Sequence, residues 1–169
     1  MIWMPLALPD PPTSLRGPAR AFYDELREML AVVAPTQVDD SKSSVRFDDI
    51  GVELELAHAE RSDWCIWATV GDRDAIAGTI SAHEHFFPSQ GTPDDRAWTT
   101  QIVDFIAEIL RGEIEIEKTF RGDTLVSVRH FNRDDDGKRN LLGQTGFLLP
   151  GRLLVWKRKR TETEHASFL

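Results

Sequence analysis

Apolar residues recur along this chain with two periods, and the periods take turns. Ala19, Phe22, Leu26, Met29, Leu30 and Val33 form one stripe at helical spacing, with Asp24, Glu25, Arg27 and Glu28 opposite. Gly17-Pro18 suits the start of that helix and Pro35 lies just past its end. Residues 36–43 are polar and read as loop. Period two then takes over. Val45 and Phe47 share a face, Asp48-Asp49-Ile50-Gly51 is a turn, and Val52, Leu54 and Leu56 alternate with Glu53 and Glu55. Glu60 to Asp63 turns again. Trp64 to Val70 is apolar on both faces, which places it centrally in a sheet. Gly71 to Asp74 turns a third time. Ala75 to Phe87 reads as one long strand, in which Gly78 marks a bulge or a close approach.

The second half repeats the rhythm. Thr92-Pro93-Asp94-Asp95 is a helix start, with a capping hydroxyl, a proline at the first helical position and acids at the positive end of the dipole. Trp98, Ile102, Phe105, Ile106 and Ile109 form its apolar stripe, and Gly112 stops it. Glu113 to Glu117 alternates strictly, Arg121-Gly122-Asp123 turns, and Leu125 to Phe131 returns. An acidic loop, Asn132 to Asn140, leads to Leu141–Lys159. There a turn at Leu149-Pro150-Gly151-Arg152 gives two last strands.

This order predicts an α+β fold: one mostly antiparallel sheet of about six to eight strands, two helices packed on one face, order α-ββββ-α-ββ(ββ). Residues 1–13 read as a Pro-rich N-terminal arm docked through Trp3 and Leu6, 14–160 as a single α+β domain, and 161–169 as a flexible tail. In element order and acidic balance the chain resembles small α+β proteins that bind partners, such as type III secretion chaperones and toxin-immunity proteins. No motif residue carries that likeness, so no functional residue is transferred.

Charge narrows the function classes. Residues 1–150 carry 15 Lys+Arg against 26 Asp+Glu, and residues 151–169 carry 5 against 2; the body is therefore −11, the end +3 and the chain −8. An acidic body argues against nucleic-acid binding and for solubility or a basic protein partner. Cys65 is the single cysteine, so no intrachain disulfide forms. Its place between tryptophans reads as a structural thiol in a reducing compartment. No apolar run reaches the roughly 18 residues of a membrane span. The apolar N-terminus is broken by Pro5, Pro9, Pro11 and Pro12 with no basic segment before it, so a cytoplasmic location is expected.

The sharpest chemical feature is His83-Glu84-His85. Residues two apart on a strand share a face, so both imidazoles can meet one metal. Cupin metal sites use such an H-x-H pair, but the glutamate and the second histidine motif that accompany it are missing here. A third ligand has to come from His58, His130 or a carboxylate. Asn132, Asp134, Asp136 and Gly137 match the opening of a calcium loop, yet Gly143 stands where the bidentate glutamate belongs, and Arg133, Lys138 and Arg139 oppose a dication. The Arg-Gly-Asp sequence reads as ordinary turn chemistry. Lys157 to Arg160 reads as a charged edge strand. No nucleophile elbow, P-loop or dinucleotide fingerprint occurs. No cofactor is implied, and a non-catalytic role is expected.

Two features point to binding. Trp64 and Trp67 differ by three, so one of them faces the open side of the sheet. The outward residues there are Glu53, Glu55, Glu113, Glu115 and Glu117, and if their strands are neighbours the open face is acidic. The expected function is an interaction module that uses these five glutamates and Trp67 to hold a protein partner. The alternatives are a small-molecule or metal site, with or without enzymatic activity, centred on His83 and His85, and a homodimer through the open face. No nucleic acid or membrane partner is expected.

Overall fold

The first apolar stripe folds as α1 (Gly17–Val33), which buries Ala19, Phe22, Tyr23, Leu26 and Leu30. It ends at Ala34, whose φ of 47° and N–H bond to Leu30 O at 3.0 Å form the left-handed termination that usually falls to glycine. The computed structural model describes residues 8–48, 51–62, 64–79, 82–88, 95–133, 136–146, 158–165 and 168–169. The contacts expected of Trp3 and Leu6, the helix start at Thr92 and the turn at Leu149–Arg152 lie outside these residues. Of the N-terminal arm, Leu8 packs against the core and Pro9 O accepts the Tyr23 hydroxyl.

Five strands follow α1: β1 (Ser44–Phe47), β2 (Val52–Ala57), β3 (Cys65–Val70), β4 (Ala75–Thr79) and β5 (Ala82–Phe86). They form an antiparallel meander in sequence order. α2 (Asp95–Arg111) follows and ends at Gly112, whose φ of 75° favours glycine. β6 (Glu115–Arg121), β7 (Thr124–Arg133), β8 (Arg139–Gly146) and β9 (Lys159–His165) make a second antiparallel sheet in the order β8-β7-β6-β9.

The α+β class and the antiparallel pairing agree with the sequence; the single sheet does not. Ala75 to Phe87 is two strands, and β5 ends the first sheet. β8 lies against β5 without joining it. The Glu84 carboxylate occupies that seam: a Cβ built on Gly143 of β8 would lie 1.6 Å from Glu84 Oε1.

Both helices cover one side of the first sheet. Tyr23 of α1 meets Phe47 edge-on with ring centres 5.0 Å apart, and Phe105 of α2 meets Phe86 at 5.7 Å. Phe105 also meets His130 of β7 at 6.0 Å, so α2 spans the seam. Val52, Leu54, Leu56, Ile66, Ala68 and Val70 supply the buried face of β2 and β3. No helix among the described residues is long and apolar enough to cross a membrane.

The last residues depart furthest from expectation. The sequence predicts a flexible tail over 161–169, but Lys159–His165 pairs along the whole of β6, and Phe168 is fully buried. Polar composition alone suggested fraying, but β6 offers a free edge that any extended segment can satisfy.

Candidate functional site

The side of the five-stranded sheet away from the helices gathers most of the residues singled out in the sequence. Antiparallel register sets them in rows. Glu55 is paired with Trp67, Trp67 with Gly78, and Gly78 with His83. In the next row Arg46 is paired with Glu53, Glu53 with Thr69, Thr69 with Ile76, and Ile76 with His85. Gly78 carries no side chain between Trp67 and His83, and the two rings approach to 5.9 Å. His83 meets His85 at 5.2 Å, and His85 stacks on Phe87 at 6.2 Å with the planes 9° apart. The result is a ladder of four rings, from Trp67 of β3 across His83 and His85 of β5 to Phe87 just beyond it, which is 62% exposed. Phe87 and the join between ladder and acids escaped the sequence reading.

Trp64 and Trp67 do fall on opposite sides. Trp64 is buried under Arg61, whose guanidinium lies 4.2 Å from the ring centre. Trp67 is half-buried on the open side, and its indole N–H donates to Thr79 O at 3.1 Å. Beside it lies a depression of about 230 Å³ lined by Ser44, Arg46, Glu53, Glu55, Trp67 and Thr69. Glu53 and Glu55 are exposed and make no ion pair or hydrogen bond among the described residues. Cys65 sits in the same stretch; burial, and then the Glu55 carboxylate, push its thiol up, so the nucleophilic thiolate is disfavoured.

The other three glutamates are elsewhere. β2 and β6 belong to different sheets, so the structure does not bring the five acids together. Glu113 precedes β6 and lies 4.0 Å from Arg111. Glu115 is only 5% exposed and meets Arg133 at 2.6 Å, Arg139 at 2.7 Å and His165 at 3.8 Å. Glu117 meets Arg139 at 3.4 Å and Arg129 at 3.8 Å. Arg139 also caps the Phe131 ring at 3.9 Å. Alternation separates Glu115 and Glu117 from Ile116, but Glu113 lies before the strand and Glu115 is buried rather than wet. The arginines arrive from β7 and β8, and no local pattern could show them. The outer side of the second sheet is therefore neutralised by cations rather than acidic.

This cluster gives a pH prediction. The Arg133 hydrogen bond, supported by Arg139, holds the Glu115 carboxyl below its ordinary value of 4.5 despite burial. A depressed native value stabilises the fold above the ordinary carboxylate range, and that stability is lost as pH falls through the native value. Urea midpoints should therefore drop from pH 6 to pH 3 more steeply in the wild type than in Glu115→Gln. Parallel curves for the two proteins would show that Glu115 contributes nothing to acid sensitivity.

The remaining candidates separate. His58 is buried, and its Nδ1 accepts the N–H groups of Glu60 and Arg61 at 3.1 and 3.2 Å. His130 is buried on the helix side of the sheets, with Nδ1 3.4 Å from Glu84 Oε1. Neither reaches His83 and His85, whose side chains leave β5 on the other face. Glu84 lines a cleft of about 380 Å³ with Phe86, Phe105, Glu108 and Leu142; burial pushes Glu108 up. Among the described residues no group of three or more His, Cys, Asp or Glu side chains converges as a metal site. Of the calcium-like loop, Asp134 lies outside the described residues, and Arg133 donates to Gly137 O at 3.1 Å. Arg121-Gly122-Asp123 is the β6–β7 turn, with Gly122 at φ 61°. The chain matches no family model, and no curated protein or solved structure shows significant similarity to it.

Proposed function

We propose that this chain is a non-catalytic binding module that holds a basic polypeptide partner on the outer face of its five-stranded sheet. The observation that carries this reading is the depression in which two exposed carboxylates, Glu53 and Glu55, without ion pairs or hydrogen bonds among the described residues, flank the half-buried Trp67. A half-buried aromatic with a held indole is the usual anchor of a binding hot spot. Free carboxylates around it attract a cationic partner and repel phosphate backbones. The ring ladder along β5 extends the apolar part of the surface towards Phe87.

The test is capture of a defined partner from extract by immobilised wild-type chain, followed by binding measurements with that partner. Binding should weaken sharply between ~50 and ~500 mM salt, because exposed charges are screened over that range. Glu53→Lys/Glu55→Lys should abolish capture, and Trp67→Ala should weaken binding by roughly 30-fold, the scale of a 2 kcal/mol hot spot. Equal binding by all three proteins would refute the reading. Light scattering on the same samples identifies the occupant as a second copy if mass doubles in the wild type and not in the variants.

A further inference from the structure

We infer that His83 and His85 form a two-imidazole chelate for a divalent d-block cation, of the class Zn²⁺, Ni²⁺ or Cu²⁺. The pair is brought together by the β4–β5 hairpin. Pairing of Gly78 with His83 and of Ile76 with His85 turns both imidazoles to the open face, while Glu84 between them turns to the seam. Their ring centres are 5.2 Å apart. A cation bonded to one nitrogen of each ring at ~2.0–2.1 Å, with a near-tetrahedral angle, sets the ring centres ~5 Å apart. The rings are thus already at chelating separation.

Both ends of the pair are braced. Trp67 lies against His83 and Phe87 stacks on His85, which restricts the imidazoles to the arrangement observed. Neither imidazole forms a hydrogen bond or ion pair among the described residues, so no partner has to be displaced. Imidazole is the nitrogen donor that this class of cation prefers over the hard cations Ca²⁺ and Mg²⁺. No third side chain converges on the pair among the described residues, so the remaining coordination positions are left to solvent. The chelate needs no bound polypeptide, so loss of partner capture would leave it standing.

Calorimetric titration of the untagged full chain with CuCl₂ or NiCl₂ tests this directly. One cation per chain in the micromolar range is expected. His83→Ala and His85→Ala should each weaken it on the order of 10²-fold, the usual gain from joining two weak ligands. His165→Ala, an exposed imidazole on the other sheet, should leave it unchanged. Copper should also quench part of the tryptophan emission through Trp67, and Trp67→Phe should remove that quenching while retaining the metal. Equal affinity in the wild type and either single variant, or quenching that survives Trp67→Phe, would overturn the site. Circular dichroism and melting of the variants show whether a lost affinity reflects the ligand or the fold.

Discussion

Replacing Phe168 with alanine should lower the free energy of unfolding by ~3–5 kcal/mol, the range for truncating a buried aromatic ring. Phe168 is fully buried, and its ring lies 4.9 Å from that of His58. Its backbone is held as firmly. The Phe168 N–H donates to Leu110 O at 2.9 Å, and Phe168 O accepts the Gln37 N–H at 2.8 Å. Leu110 O belongs to the last turn of α2, where carbonyls have no partner within the helix. One residue therefore joins the end of α2, the segment after α1 and the end of β2, where Val38 bridges to His58. A loss of that size is a large part of the 5–15 kcal/mol that small proteins possess. Phe168→Leu keeps most of the apolar volume and should lose less than half as much. Denaturant titration with unchanged slope measures both. A Phe168→Ala protein within 1 kcal/mol of wild type would mean that the end of the chain is dispensable.

What the sequence shows and what it hides follow from range of interaction. The stripes from Ala19 to Val33 and from Trp98 to Ile109 are local periodicities, and both helices stand where they place them. Leu54 and Leu56 are buried and Glu53 and Glu55 exposed, as alternation requires. The β4–β5 hairpin is the instructive miss. The sequence from Thr79 to Ala82 contains no Gly, Pro, Asn or Asp, and Ser81 alone is a weak turn signal. The error reverses a face. In one continuous strand, His83 and His85 would share the side of Ala75, Ala77 and Thr79, which is buried. The hairpin instead aligns them with Ile76 and Gly78 on the open side, beside Trp67. The two rival readings of the chain, an acidic tryptophan surface and a histidine pair, thereby become neighbours on one surface. Glu115 shows the opposite limit: its face was legible, but its charge partners on β7 and β8 are set by long-range pairing.

Gly51→Ala should cost about 3 kcal/mol or more, at the upper end of overpacking effects. An added Cβ would lie 2.3 Å from Val70 O and 3.2 Å from Val70 C. These are backbone atoms, so no rotamer change can relieve the clash. Gly51 closes the turn into β2 by accepting the Asp48 N–H at 3.2 Å, and the next residue, Val52, is paired with Val70. Relief requires β2 and β3 to separate at that end, which exposes Val52 and Val70, both buried. Gly71→Ala is the matched control. Its nearest contact, Asp74 Oδ1 at 3.6 Å, is ordinary van der Waals distance, and its stability should change by less than ~1 kcal/mol. The consequence for function is selective. The β2–β3 register sets Glu55 against Trp67 and Glu53 against Thr69, so any folded Gly51→Ala protein should bind the proposed basic partner more weakly. His83 and His85 are held by β4, and the proposed copper binding should be unchanged. If Gly51→Ala matches wild type in both stability and partner binding, the close approach of Gly51 to β3 does not set that register.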